Sequence, residues 1–381
     1  MTSDVIQLTQ DMVRIPSLSG RESAMADLMK QRMHEFGFTS VTMDRNGSVL
    51  GLIGPDDADV ALLFDGHMDV VPVSGDWRFD PFGATIHEGR LYGRGSTDMK
   101  GGIAAAICGV AAAAREGTLK RRVAVSASVL EEVIEGHALA SVLDRCQPAA
   151  VIICEPSKLD IKIAQKGRLE ILLTFKGVPA HAASPHLGRN PLHAAARALT
   201  ALASLPLPSD PVVGDALLVP TDMISSPYPS ISMIPSSTTI RFDRRTLSGE
   251  TEENVLAQID ACLKQHGLSD YTLATTRDSV STFTGERAEP ARWLPAWQQT
   301  QDHPLVTSAV EAVKRSGREP RIGVWPFCTN GSESAGRRHI PTVGLGPGRE
   351  EDAHIIDESI ALDQLEGARE IYKQLTLIAA A

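Results

Sequence analysis

Three short apolar runs, Val60 to Phe64, Val123 to Leu130 and Ala149 to Cys154, each stop directly at an acidic residue. They alternate with stretches of helical periodicity, Glu22 to Glu35, Lys100 to Arg115 and Gly136 to Arg145. Strands that are apolar on both faces, separated by helices, bury their surfaces in a largely parallel sheet covered by helices. The expected fold is therefore α/β, with a mixed, largely parallel sheet flanked by helices. In open sheets of this kind, functional side chains collect at the carboxyl ends of the strands. That is where the acidic residues stand.

From about Lys166 the texture changes. Arg168 to Phe175 and Thr238 to Asp243 read as half-exposed strands, and Asn190 to Leu205 and Glu250 to His266 as helices. Ser281 to Pro304, with two tryptophans and several prolines, reads as an irregular return, after which Leu305 to Gly317, Pro341 to Gly344 and Ser359 to Leu377 resume the alternation. The spacing predicts a first domain formed by 1–165 and 283–381, with an α+β domain inserted at 166–282.

A net charge of −10 without a Lys/Arg-rich run makes nucleic acid a poor partner. The longest apolar stretch, Gly101 to Ala114, is too short to span a membrane and reads as a buried helix. Charged and polar residues punctuate Met1 to Ile15, so no secretory leader is expected. Five cysteines without C-x-x-C spacing are expected to be reduced thiols in a cytoplasmic protein.

The chemistry concentrates in a few motifs. Asp65-Gly66-His67-Met68-Asp69 closes the first strand, and in an extended segment Asp69 falls on the same side as His67. A carboxylate beside a metal-bound imidazole fixes its tautomer and raises its basicity. Asp98 stands in Gly95-Ser96-Thr97-Asp98-Met99-Lys100-Gly101-Gly102 just before the apolar helix, where an ordinary N-cap is the competing explanation. Glu131 and Glu132 follow the second strand, and two carboxylates there stay ionised only if positive charge compensates them. One can bind a metal while the other takes a proton from bound water. Glu155 ends the third strand, and His354 follows Thr342-Val343-Gly344. Asp98, Glu131, Glu132 and Glu155 carry four negative charges, which two divalent cations would match. A His and carboxylate set without thiolate suits zinc, with manganese and cobalt as alternatives.

In that order, the motifs resemble the aminoacylase, carboxypeptidase G and succinyl-diaminopimelate desuccinylase family of co-catalytic zinc hydrolases, over nearly the whole chain. The resemblance implies a zinc-peptidase-like fold with an inserted lid, through which relatives commonly form homodimers. It implies His67 and Glu155 on one metal, Glu132 and His354 on the other, and Asp98 bridging. Glu131 would be the general base and Asp69 would orient His67. His181, in Gly177-Val178-Pro179-Ala180-His181, looks like the lid histidine that polarises the scissile carbonyl. Arg245, ending Arg241-Phe242-Asp243-Arg244-Arg245, resembles the arginine that holds a substrate carboxylate, although alternation equally allows an ion pair on the strand. Asn330 and Gly346 are further expected substrate-binding positions. Met233 stands where many relatives carry an asparagine, and Thr329-Asn330-Gly331 with Trp297 resembles a branch labelled selenium-metabolism hydrolases. The implied reaction is hydrolysis of an amide in an N-acyl amino acid or a short peptide, and the rival of another class is a metal-bound ligand-binding protein without catalysis.

Overall fold

The computed structural model describes residues 3–381. Two compact units divide the chain: one comprises Met1–Gln165, Ser279–Ala288 and Trp297–Ala381, the other Lys166–Asp278 and Glu289–Ala296.

The first unit opens with α1 (Asp4–Val13), which buries Val5, Leu8 and Met12, and α2 (Ser23–Glu35). An antiparallel pair follows, β1 (Ser40–Met43) and β2 (Val49–Ile53), and then β3 (Val60–His67), whose eight residues are all buried. Next come α3 (Gly101–Ala114), β4 (Arg122–Ser128), α4 (His137–Cys146), β5 (Val151–Ile153) and β6 (Ile161–Gln165). The continuous apolar runs thus become strands covered on both faces.

The second unit is an antiparallel sheet built on β7 (Gly167–Lys176). Helix α5 (Pro191–Leu202) begins at Asn190, whose side chain caps the Leu192 amide. After it run β8 (Leu217–Ser226), β9 (Ser237–Thr246), α6 (Glu252–Gln265) and β10 (Tyr271–Thr275), in the sheet order β8-β9-β7-β10. Burial alternates strictly along β9, and its inward Ile240 and Phe242 join Leu169, Ile171, Leu173 and Phe175 against Ala195, Ala198, Val255 and Ile259 of the helices. Strand β8 was not legible beforehand. Its Pro220 lies at a register shift on a strand paired only with β9, and an edge is where a sheet tolerates a residue that cannot donate.

The return is not the single crossing expected at 282/283. A small hairpin of Val280–Ser281 and Arg287–Ala288 belongs to the first unit. β11 (Trp293–Leu294) then pairs with Leu169 and Arg168 of β7, and that backbone pairing assigns 289–296 to the second unit. The first unit resumes with β12 (Trp297–Gln298), α7 (Pro304–Arg315), β13 (Ile322–Trp325), β14 (Thr342–Gly344) and α8 (Leu362–Ala379). Its nine-stranded sheet runs β1-β2-β4-β3-β5-β14-β6-β12, with β13 beside β6. The four central strands, β4, β3, β5 and β14, are parallel, and antiparallel pairs lie on either side. The fold is α/β as expected. No helix among the described residues is long and apolar enough to cross a membrane.

Candidate metal centre

Because the four central strands are parallel, their carboxyl ends share one edge of the sheet, and each delivers a candidate ligand there. β3 ends in His67, β4 leads into Glu131 and Glu132, β5 leads into Glu155, and β14 leads into the segment carrying His354. Asp98 comes from an irregular turn before α3, where its own φ and ψ are −118° and 94° and its peptide bond to Met99 is cis. Helix α3 starts at Gly101 with Lys100 in the capping position, so Asp98 is not its N-cap. Gly102 and Gly346 explain the tight approach of these segments. A Cβ on either would lie 2.4 or 2.2 Å from the Cys154 carbonyl oxygen, just before Glu155.

Asp98 lies between two imidazoles. His67 Nε2 is 3.0 Å from its Oδ1, and His354 Nε2 is 3.1 Å from its Oδ2. Glu155 Oε1 lies 3.4 Å and Glu131 Oε2 3.8 Å from His67 Nε2, while Glu132 Oε2 lies 3.0 Å from His354 Nε2. Ligand atoms of His67, Asp98 and Glu132, and again of His67, Glu131 and Glu155, fall within 4.8 Å of one another. Six side chains from five separate segments thus crowd one pocket of negative charge, buried except on the side of His354, whose side chain is 51% exposed. A set of imidazole nitrogens and carboxylate oxygens, without a thiol among them, fits a pair of hard or borderline divalent cations.

Electrostatics requires such compensation. Burial pushes the Glu155 carboxyl up to about 8 and that of Glu132 up to about 7, with the charge of Asp98 adding to both. Burial drives Glu131 well above the ordinary range too. Hydrogen bonds to Asp98 and then Glu132 push His354 up to about 10. Burial would raise Asp98, but His354 and His67 outweigh it and hold its carboxyl well below the usual range. Without cations, protons would have to supply the compensating positive charge. Cations must displace them, so metal affinity is expected to weaken as pH falls through 8 and 7, where Glu155 and Glu132 take up protons. Calorimetric metal titration at pH 7 in two buffers of different ionisation enthalpy should give different heats. Equal heats would show that no protons leave.

Asp69 does more than the sequence suggested. His67 Nδ1 faces the Asp69 backbone carbonyl at 3.0 Å and its carboxylate at 3.5 Å, so a proton on Nδ1 leaves the Nε2 lone pair toward the cluster. The carboxylate accepts hydrogen bonds from the amides of Glu131 and Glu132 at 3.1 and 3.2 Å, and from the Ser19 hydroxyl at 2.7 Å. One buried carboxylate therefore positions a histidine and both glutamates.

Glu358 was missed. Fully buried, it accepts the backbone amides of Thr97 and Asp98 at 2.9 and 3.1 Å and pairs with Arg94 at 2.5 Å. Its signal was there, an acidic residue four positions after His354 and an arginine inside the glycine-rich motif, but the two lie 264 residues apart. Glu358→Ala would leave a buried guanidinium and two amides unpaired and should cost about 3 to 5 kcal/mol. A melting temperature equal to that of the parent protein would contradict this.

Three expected substrate contacts are differently employed. The Asn330 amide donates to Asp65 Oδ2 at 2.8 Å and Ser128 Oγ at 3.1 Å, and its oxygen accepts the Gly136 amide, so this side chain clamps strand ends together. Gly346 is a packing position against Cys154 and Glu155, and its amide donates to Ser157 Oγ. The fork of Arg245 is held by Asp243 at 2.7 and 3.1 Å, the ion pair that strand alternation allowed. His181 lies in the second unit, exposed, in an isolated bridge with Met233. Its Nδ1 accepts the Ala183 amide at 3.0 Å, which leaves Nε2–H as a free donor.

A family profile described as Peptidase family M20/M25/M40 matches residues 63–377. A succinyl-diaminopimelate desuccinylase of Rhodospirillum centenum is 31% identical, the match covering 98% of this chain and 96% of that protein. An uncharacterised protein of Escherichia coli, YgeY, is 29% identical over 98% of this chain and 94% of its own. Among solved structures, an M20 family metallo-carboxypeptidase of Sulfolobus solfataricus superposes with a TM-score of 0.78 at 17% identity, covering all of both chains. A dinuclear metal binding peptidase of the same family from Bacillus subtilis gives 0.73 at 16%, over 99% of this chain and 97% of that one. At such identities the likeness is one of fold.

Proposed function

We propose, from the premise that this chain belongs to peptidase family M20/M25/M40 and is a metal-dependent hydrolase, that it removes the acyl group from an N-acyl amino acid or a related small amide. The observation that carries the reading is the meeting of His67, Asp98, Glu131, Glu132, Glu155 and His354 at the carboxyl ends of four parallel strands. His67 and Glu155 would hold one divalent cation, His354 and Glu132 the other, with an oxygen of Asp98 for each. Zinc is the expected metal, with manganese and cobalt as alternatives. When bound, the two cations supply the charge that acidifies a water molecule and polarises an amide carbonyl.

The chain's own residues do the rest. Asp69 holds the Glu131 backbone, and Glu131 accepts a proton from the attacking water and returns it to the departing amine nitrogen. His181, with Nε2–H free, would donate to the carbonyl oxygen as negative charge develops there. The 31% identity to named desuccinylases favours deacylation over carboxypeptidase or dipeptidase activity, since the peptidase structures match at 19% or less. A panel of N-acyl amino acids and dipeptides, assayed with zinc, manganese or cobalt, tests this. Turnover of dipeptides alone would make it a peptidase. No turnover, with a ligand that raises the melting temperature, would favour a binding protein.

The second unit would also form a homodimer through edge strand β8, which exposes Leu217, Val219, Met223 and Ile224 to solvent. Light scattering should give twice the chain mass, and Ile224→Lys should reduce it. A single-chain mass at all concentrations would remove this element. Five buried free cysteines support a reducing, cytoplasmic setting.

A further inference from the structure

Away from the metal centre, the first unit holds a polar cleft of about 440 Å³ between one face of α4, the turn after β1 and the 280–288 hairpin. The turn is rigid. Asp44 Oδ1 accepts the amides of Gly47 and Ser48, and the Thr284 hydroxyl donates to the Arg45 carbonyl at 2.6 Å. Gly47 has a φ of +101°, and a Cβ there would lie 2.3 Å from the Phe283 ring, so glycine is needed for the hairpin to seat.

Arg45, Arg145 and Arg287 reach this cleft from its three walls. None of them makes an ion pair with a described carboxylate, and Arg145 donates only to the Met43 carbonyl. Asp144 and Glu286 line the cleft too, but neither forms an ion pair with the three arginines. Asp144 is taken by Arg338 at 2.5 Å, and Glu286 is exposed on the hairpin. Three exposed guanidinium groups without an ion pair thus face one cleft on a chain of net charge −10. Asn46, only 7% exposed, lines the same cleft, and its side-chain amide has no hydrogen-bond partner among the described residues. Its polar atoms are not sealed from solvent, so they are open to a ligand in the cleft. Burial, with Arg45 adding to it and Glu333 opposing it, holds the His137 ring below its ordinary value, so near neutrality it offers hydrogen bonds without further charge.

We propose that this cleft is a second binding site, for a small anion bearing two or more negatively charged oxygens, held by Arg45, Arg145 and Arg287 and oriented by Asn46. The shared chemistry is that of phosphate esters and of dicarboxylates, both of which match guanidinium forks in two parallel hydrogen bonds.

The test is calorimetric titration of the metal-loaded protein with inorganic phosphate and, separately, with malonate, using sodium chloride as the ionic-strength control. Saturable binding is expected with one or both probes at concentrations up to about 10 mM, and the tighter one tells a phosphoryl ligand from a carboxylate. Arg45→Ala/Arg287→Ala should weaken it at least about tenfold, and Asn46→Asp should do the same with almost no change in shape. Turnover in both variants should match the parent protein, which shows that they fold. An anion that coordinates the metal ions would bind the variants with unchanged affinity. That outcome, or no saturable heat with either probe, overturns the proposal.

Discussion

Glu131→Gln is expected to keep both metal ions and lose turnover by about a thousandfold or more, the upper range for removal of a general base. The substitution conserves size, and the Asp69 contact to the residue 131 backbone amide does not depend on its side chain. Only the ability to take a proton is removed. Burial raises the Glu131 carboxyl well above its ordinary pKa, which suits a group that must both accept a proton and release it. Elemental analysis should find the same metal content in both proteins, and kcat should carry the loss. A Gln variant with ordinary turnover would assign the proton transfer elsewhere. A variant that lost its metal would make Glu131 a ligand.

Asp98→Ala is expected to abolish activity and to reduce bound metal from two ions per chain to one or none. Both oxygens of Asp98 face an imidazole, 3.0 Å from His67 and 3.1 Å from His354, so this is the carboxylate of the cluster that meets both histidines. Its removal takes a ligand from each cation and the negative charge that lets two cations sit close together. Alanine is chosen because asparagine would keep one oxygen donor. The melting temperature measured in excess metal should also fall, because binding that stabilises the folded chain is lost. Two ions per chain in the variant would remove Asp98 from the bridging position.

What could be read in advance follows from period and order. β3, β4 and β5 are visible as apolar runs because both their faces are buried, and their ends are visible because each meets an acidic residue. The order of His67, Asp98, Glu131, Glu132, Glu155 and His354 carried the resemblance to a family. β8 stayed hidden because an edge strand with most residues exposed has no buried face to impose alternation. The return through 289–296 stayed hidden because two-residue strands leave no periodic trace.

The expected substrate-binding residues show what residue type alone leaves open. Arg245, Asn330 and Gly346 are the right chemical types for gripping a ligand, but type does not say what a side chain already holds. Asn330 is spent on Asp65, Ser128 and Gly136, and Arg245 on Asp243. Conversely, Glu358 lies 264 residues from its partner Arg94, a separation no motif spans, yet it sets the backbone on which Asp98 stands.

By itself the sequence determined the class of fold, the family and the set of charged groups that must find compensation, because hydrophobic period, glycine spacing and ligand order are local or one-dimensional. Only the tertiary structure decided which groups meet: that Asp98 faces two histidines, that Asp69 holds both glutamates, and that three arginines share a cleft without forming an ion pair. The reason is physical. Electrostatic and hydrogen-bond energies depend on distances of a few ångströms between segments hundreds of residues apart, and those distances exist only once the parallel strands have brought their ends together.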